Sequence, residues 1–412
     1  GDALLVREIM KAIQRIRPLV VSARLPRHVR GMADDAKPTP PGKPYESFKL
    51  GVPKESVTGE NRVATTPSVI KKYKKLGLEV YVEKGAGVPA NISDKEYVDA
   101  GATIEDRASV MQKDMIFKVR VPTETEVDMF KDGSTLFSFL YPGQNEALMK
   151  KMRDKKMTAF AMEMVPRISR AQGYDALSSM ANISGYKAVV AAADKFSRFF
   201  TGQITAAGKT EPAKVLVIGG GVAGLAAIGT AKNMGAIVRC FDTRPAVKEQ
   251  ARSMGAEFLE IKGHELEEGV GGYAKEMTPE FIKAEMELFA QQCKEVDIVI
   301  TTALIPGKPA PRLITKEMVD SMKPGSIVVD LASEAGGNVE GSRHNEDYTY
   351  GQGVHFIGKV DFPSQLAGQA SQLYANNVSA LMMSFGEKGY FNIDYEDVVC
   401  RGSIVMNQGE NL

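Results

Sequence analysis

The chain has 412 residues, of which 43% are hydrophobic and 25% charged, a globular composition with ample length for two or three domains. Its formal net charge is +1, so no global field favours nucleic acid or anionic lipid, and no run of about 18 apolar residues is present to span a membrane. Three cysteines (Cys240, Cys293, Cys400) and four histidines (His28, His264, His344, His355) are scattered without any CxxC, which argues against a disulfide scaffold, a zinc site or a His-based metal cluster and fits a reducing compartment.

The chain begins on glycine and reads as processed or as a fragment. Residues 1–30 hold seven Lys/Arg against two acids, Asp2 and Glu8, and LVREIMKAIQRIRPLVV is amphipathic. Two readings stand side by side: an organelle-targeting peptide, typically Arg-rich and acid-poor, or a helix and linker left from a larger fused polypeptide. GMADDAKPTPPGKPY (31–45) is a Pro-rich linker in either case, so 1–46 is set apart as a targeting-like or linker segment.

From Ser47 the pattern becomes regular. FKLGVPKE predicts a strand and a loop; PSVIKKYKKLGLEVYVEKGAG a helix, a Gly stop and a strand; DMIFKVRVP and STLFSFLYPG further strands closed by Pro or Gly. ALSSMANISGYKAVVAAADKFSRFF (176–200) predicts a long helix with small residues on one face. Alternation resumes at Lys214 with KVLVIGG, LAAIGTAKNMG, AIVRCFD, EVDIVITTAL, SIVVDLA and HFIGKV, and PSQLAGQASQLYANNVSALMMSF (363–385) predicts a second long helix. Short apolar strands alternating with amphipathic helices indicate an α/β fold: two domains with mostly parallel sheets, joined by two long helices. The expected division is 47–166 with 364–412, the C-terminal helix returning to the first domain, and 167–363 as a second domain. No internal repeat stands out.

In KVLVIGGGVAGLAAIGTAKNMGAIVRCFDTR, Gly219, Gly221 and Gly224 follow an apolar run and open a helical pattern. The first glycine permits the tight turn, the second lets backbone approach a pyrophosphate, and the third lets helix and strand pack closely. The pyrophosphate would sit on the helix N-terminus. Asp242, 18 residues beyond Gly224, ends the next strand, where a carboxylate accepts from adenosine ribose hydroxyls and repels a 2′-phosphate, favouring NAD over NADP. Arg244 complicates this, because a nearby Arg accommodates a 2′-phosphate; Asp242 is given the greater weight. EEGVGGYAKEMTPE (267–280), with Gly272 and Tyr273, reads as an ordinary surface loop, or as a lid over the nucleotide. TTALIPGKPAP (301–311) follows an apolar strand and so lies where ligands of doubly wound sheets bind.

PRISRAQGYDALSSMANISGYKAV, GGGVAGLAAIGTAKNMGAIVRCFDTRP, GGYAKEM, TTALIPGKPAP and VVDLASEAGGN together resemble the NAD(H)-binding domain I of proton-translocating NAD(P)+ transhydrogenase, from about Leu50 to about Met406. The resemblance implies two Rossmann-like domains. That family is in turn similar to alanine dehydrogenase, whose GxPxE…RVxxTP opening matches GVPKESVTGENRVATTP with Arg62. Alanine dehydrogenases use a lysine, a histidine and an aspartate on their substrate. At the matching positions this chain has Arg120 in KVRVP, Tyr141 in FSFLY and Glu334 in VDLASEAGG. Arg120 is poor at losing a proton, and a tyrosine titrates far from the neutral value that suits a general base. Pyruvate chemistry is therefore expected to be absent, and an alanine-dehydrogenase-like amino-acid dehydrogenase is the alternative reading.

What the resemblance implies is an oxidoreductase that is half of an active site. Domain I holds NADH, and the hydride passes directly to NADP+ on a separate domain III, while a membrane domain II couples transfer to proton translocation. By the same resemblance, Gln172 contacts the nicotinamide end, Arg167 and Asp175 form an ion pair that shapes its loop, and Ser178 holds the carboxamide. Tyr273, beside Gly272, is the aromatic of a mobile loop over NADH. Thr302, Ala303 and Leu304 line the nucleotide, and Val222 lies against the adenosine side, with Asp242, Thr243 and Arg244 at its ribose. A homodimer is implied, with the Met-rich segments SALMMSF and IVMNQ suiting either a buried interface or, as methionine in a helix more often does, an ordinary core. The implied location is the matrix side of the mitochondrial inner membrane, or alternatively the cytoplasmic face of a bacterial or other organelle membrane.

Overall fold

The computed structural model describes residues 42–261, 263, 278–304, 309–387 and 389–411. Fifteen strands build two large sheets. In chain order they are β1 (Lys49–Val52), β2 (Glu79–Glu83), β3 (Thr103–Glu105), β4 (Met115–Phe117), β5 (Thr135–Ser138), β6 (Thr158–Ala161), β7 (Lys214–Ile218), β8 (Ile237–Phe241), β9 (Glu257–Phe258), β10 (Ile298–Thr301), β11 (Ile327–Asp330), β12 (Tyr348–Tyr350), β13 (Val354–Ile357), β14 (Ile404–Asn407) and β15 (Glu410–Asn411). The first sheet has the order β15-β14-β6-β5-β4-β1-β2-β3, and the second β9-β8-β7-β10-β11-β13-β12. Pairing is parallel except at β14 with β6 and β15, and at β12 with β13.

The six parallel strands of each sheet follow the same doubly wound order, third-second-first-fourth-fifth-sixth. Each sheet therefore reverses direction once, between β1 and β4 in the first lobe and between β7 and β10 in the second. Crevices open outside the C-terminal ends of strands at such reversals. Both faces of each sheet are covered, so the strands read as continuous apolar runs. Leu136 and Phe137, neighbours on β5, enter opposite cores, as do Val215 and Leu216 on β7.

Three helices position the site: α1 (Ala176–Lys195), α2 (Val222–Asn233) and α3 (Ala367–Met383). α1 is shared between lobes: Ala176, Met180 and Ile183 pack in the first core, Ala188, Val189 and Ala192 in the second. Its small residues bring it onto α2, where a Cβ at Gly185 would fall 1.9 Å from the Ala223 carbonyl oxygen. α3 returns to the first core through Ala370, Tyr374, Val378 and Leu381. The second long helical pattern is broken at Leu366, between a short helix Phe362–Gln365 and α3.

Two expectations change. Residues 43–45 lie within the segment read as linker, yet Lys43–Pro44 pair with Tyr390–Phe391, and the buried Tyr45 hydroxyl donates to Met382 O at 2.9 Å. The Met-rich segments are mostly core: Leu381, Met382, Phe385 and Met406 are buried within the chain, so they offer little surface to a second copy. No helix among the described residues is long and apolar enough to cross a membrane.

Candidate nucleotide site and the adjoining crevice

The glycine-rich turn leaves β7 at the second sheet's reversal. Gly219 takes φ +98°, which an L side chain rarely adopts, and its N–H donates to Phe241 O at 2.9 Å. A Cβ at Gly224 would fall 1.8 Å from Gly219 O, so this glycine sets how closely α2 approaches β7. Gly221 differs: a Cβ there would meet only Arg244 Nη2, at 3.9 Å, so the turn faces open space at that point. Gly221 is the N-cap of α2, no side chain caps this terminus, and the first helical bond is Leu225 N–H to Gly221 O at 2.8 Å. The N–H groups of Val222, Ala223 and Gly224 thus precede the bonded helix, and they make a positive end suited to a pyrophosphate. Val222 is 42% exposed beside it.

Asp242 directly follows β8, beside this turn. Its Oδ2 accepts from Gly220 N–H at 2.6 Å and Arg244 Nη2 at 2.7 Å, and its Oδ1 accepts from Arg244 N–H at 2.8 Å and Arg244 Nε at 2.9 Å. Thr243 between them is half-buried. Thr302 follows β10 on the other side of the reversal. Its N–H donates to Ile218 O at 2.9 Å and its hydroxyl to Gly219 O at 3.0 Å, so the two strand ends are tied together. Ala303 is clamped by Asn338, which accepts from its N–H at 3.0 Å and donates to its carbonyl at 2.8 Å. Leu304 is 47% exposed. The turn, Asp242, Arg244, Thr302 and Ala303 are therefore brought to one place. Gly272 and Tyr273 lie outside the described residues.

At the start of α1, Asp175 is the N-cap: it accepts from Ser178 N–H at 2.9 Å and from the Ser178 hydroxyl at 2.5 Å. The Ser178 oxygen keeps its lone pairs for an amide donor. Gln172 is exposed on the 3₁₀ turn Ser169–Tyr174, which is held by Asn377 donating to Gly173 O at 2.9 Å and by Arg170 pairing with Asp397 at 2.9 Å. Seven residues of α1, roughly 10 Å of helix, separate Ser178 from the contact of Gly185 with α2.

The first sheet's reversal opens a second crevice, and charge fills it. Glu60 accepts from Arg62 Nε at 2.7 Å and Nη2 at 2.6 Å, and from Arg120 Nε at 2.6 Å. Arg120 also donates to Asp361, beyond β13, so one guanidinium joins the two lobes. Burial works against the Arg120 charge, but Glu60, Asp361 and Glu334 outweigh it and hold its pKa above the ordinary arginine value. Tyr141 sits in the left-handed region at φ +45° and stacks on Phe139, with its N–H donating to Glu163. Desolvation, then Glu163 and Glu334, push the Tyr141 hydroxyl up to about 12. Behind them Lys118, fully buried, pairs with Glu55 at 3.0 Å and Glu126 at 3.1 Å. Burial opposes its charge, but those carboxylates outweigh burial and raise its pKa.

Residues 51–184 match the family described as Alanine dehydrogenase/PNT, N-terminal domain, and residues 188–412 the one described as Alanine dehydrogenase/PNT, C-terminal domain. The chain belongs to the alanine dehydrogenase/PNT family. It is 58% identical over 366 residues to NAD(P) transhydrogenase subunit alpha of Haemophilus influenzae, across 88% of this chain and 71% of that one. Among solved structures, the transhydrogenase from Sinorhizobium meliloti superposes with TM-score 0.78 at 39% identity, over 88% of this chain and 98% of that one. An L-alanine dehydrogenase superposes with TM-score 0.74 at 25% identity, over 88% and 96%. The resemblance drawn from the motifs and the expected α/β fold both hold within this alanine dehydrogenase/PNT frame.

Two parts of the site carried no expectation. Asn338, fully buried, also donates to Pro311 O at 2.9 Å, so it pins both ends of the loop after β10. Asp330, at the end of β11, accepts from Thr301 Oγ1 and Ala332 N–H at 3.0 Å, Val339 N–H at 2.9 Å and Ser342 Oγ at 2.6 Å. The signal was present in VVDLASEAGGN, an acid ending an apolar strand and an amide after paired glycines. Glu60 pairs locally with Arg62, but its link to Arg120 and that of Asp361 to Arg120 had no local signal, because they span 60 and 241 residues.

Proposed function

We propose that this chain is the NAD(H)-binding component of a proton-translocating NAD(P)+ transhydrogenase, an oxidoreductase active only with its partner domains. The observation that carries the choice is Arg120. The basic group placed where alanine dehydrogenases have their substrate lysine is held between Glu60 and Asp361. A keto acid entering that crevice would have to displace a carboxylate already fixed there. The relatives named for transhydrogenase, at higher identity than the alanine dehydrogenase structure, support the same choice.

NAD(H) fits the second lobe: the open space at Gly221, the uncapped start of α2 and the acid at Asp242 suit its pyrophosphate and adenosine ribose. Bound there, the nicotinamide supplies a hydride, and NADP+ on the partner domain III receives it. The chain's own residues bind, orient and exclude water, with no acid or base needed. Gly219, Gly221 and Gly224 hold the pyrophosphate end; Val222 lies against the adenosine side; Asp242, Thr243 and Arg244 face the ribose; Thr302, Ala303 and Leu304 line the nucleotide. Ser178 accepts from the carboxamide, Gln172 meets the nicotinamide end, Arg167 and Asp175 shape its loop, and Gly272 and Tyr273 close over the site. In this reading residues 167–363 form the nucleotide domain. The chain acts as a homodimer on the matrix side of the mitochondrial inner membrane, with coupling through membrane domain II.

NADH oxidation by the purified chain tests this, with pyruvate plus ammonia and then with a separately made, NADP+-loaded domain III. Oxidation only with the NADP+ domain is expected. Turnover with pyruvate and ammonia would instead establish the alanine-dehydrogenase-like reading and overturn the use made of Arg120, Tyr141 and Glu334.

A further inference from the structure

Gln172 leaves its 3₁₀ turn between two fixed neighbours. Ala171 before it is 1% exposed and packs in the same core as Tyr374 and Val378 of α3. The Gly173 carbonyl after it accepts from Asn377 Nδ2 at 2.9 Å. Elsewhere the turn is held loosely. Asp175 N–H reaches the Gln172 carbonyl only at 3.4 Å, and a Cβ built on Gly173 meets nothing within 4 Å, so no packing steadies the turn from that side. The other side-chain tether joins Arg170 to Asp397, but Arg170 is half exposed, where water and salt weaken an ion pair. Asn377 is the buried tether, at 6% exposure.

Asn377 lies on the core face of α3, three residues after Tyr374 and four before Leu381, both fully buried. A carbonyl oxygen can only accept, so the amide nitrogen is the end that points at Gly173. The amide oxygen is then buried with no partner among the described residues. An unpaired buried acceptor destabilises a core, and a leucine of similar size would fill this place without one. Gly173 is exposed, so water could serve its carbonyl in the absence of the amide. Neither packing nor the needs of that carbonyl accounts for an amide here; what it adds is a direction imposed on the turn. We propose that Asn377 is a positioning residue for hydride transfer: by holding the Gly173 carbonyl it fixes the direction in which Gln172 leaves the turn, and it touches neither nucleotide. This rests on the reading of Gln172 as meeting the nicotinamide end and extends it to the residue behind the turn. Transfer between two nicotinamides depends on how the rings are aligned, so a small shift of a contacting group lowers the rate while leaving affinity alone.

The test is single-turnover hydride transfer to the NADP+-loaded domain III at saturating nucleotide, with NADH titration and urea melts alongside. The unmodified chain, Asn377→Leu, Gln172→Asn and the double variant are compared. Asn377→Leu is expected to slow transfer roughly ten- to a hundredfold while NADH affinity and urea stability hold. In the Gln172→Asn background the same change should slow transfer no further, because the two residues act as one unit. A second full loss in that background would show that Asn377 acts elsewhere and would overturn the proposal. An unchanged rate in Asn377→Leu would overturn it too, as would a loss of NADH affinity that follows a loss of stability, the mark of a merely structural role. Should Asn377→Leu fail to fold, Asn377→Ala replaces it, removing the donor and admitting water to the Gly173 carbonyl. Normal transfer by Gln172→Asn alone would overturn the reading of Gln172 itself, a distinct result.

Discussion

Gly185 on α1 lies against the Ala223 carbonyl on α2, with 1.9 Å for any Cβ built between them. Because Ala223 belongs to the glycine-rich turn's first helical residues, the packing of two helices and the shape of the turn are one constraint. Gly185→Ala is expected to force the helices apart and destabilise the chain by about 1–3 kcal/mol. NADH affinity should fall with it. Gly143→Ala, where a Cβ meets nothing within 4 Å, is the control and should change neither. Urea melts and NADH titration read both; a neutral Gly185→Ala would remove the constraint.

Gln172→Asn should slow hydride transfer to the NADP+ domain strongly while NADH affinity changes little. The side chain is exposed on its 3₁₀ turn, so shortening it leaves the core alone. Loss of NADH binding in this variant would show that the assigned contact with the nicotinamide end is wrong. Stopped-flow transfer rates and equilibrium titration separate the two.

Lys118→Met leaves Glu55 and Glu126 facing each other in the first lobe without their shared cation. Breaking a buried pair from one side costs about 3–5 kcal/mol. The thermal midpoint should drop, and adding Glu55→Gln should restore part of it. NADH affinity of whatever remains folded should be unchanged, because this cluster belongs to the other sheet.

Acid should weaken the same lobe. Burial alone would raise the pKa of Glu60 and Glu126, but Arg62 and Arg120 on the first and Lys118 on the second outweigh it and hold both below the ordinary glutamate value of 4.5. A carboxyl whose pKa is depressed by folding contributes stability that is present above about pH 4.5 and lost as pH falls through the folded value. Urea stability should therefore hold from neutrality to about pH 4.5 and decline below it. Glu60→Gln should make that decline shallower. An undiminished stability at about pH 3 would contradict the sign.

Tyr141, pushed up to about 12, stays protonated across the neutral range. Tyr141→Phe should leave the pH profile of hydride transfer unchanged between roughly pH 6 and 9. A profile that loses a limb in the variant would make the hydroxyl a proton carrier after all.

The second lobe was legible because its chemistry is local. Gly219, Gly221, Gly224 and Asp242 sit within one strand-turn-helix-strand unit, whose glycine spacing and closing acid form a pattern readable in a single short stretch. The first lobe's charge cluster was not legible, because Glu60, Arg120 and Asp361 meet only once both sheets are built. The C-terminal strands β14 and β15 were missed for a similar reason: IVMNQ is short, and its antiparallel partner β6 lies more than two hundred residues earlier. The shared strand order of the two sheets left no repeat in the sequence, since topology constrains where apolar runs fall and not which residues compose them. Of the two readings open for the Met-rich segments, the core is the one the structure shows for Leu381, Met382, Phe385 and Met406.

The return of α3 and β14 to the first lobe has a consequence for how the chain is made. A ribosome delivers residues 49–161 early, yet β6 gains its outer neighbour, and Phe160 its packing against Phe385, only when the last tenth of the chain emerges. Residues 214–357 complete their sheet sooner and from a single continuous stretch. The second lobe is thus positioned to finish first during synthesis, while its companion waits with one edge unpaired, and that interval is when the nascent chain most needs protection from pairing with another copy.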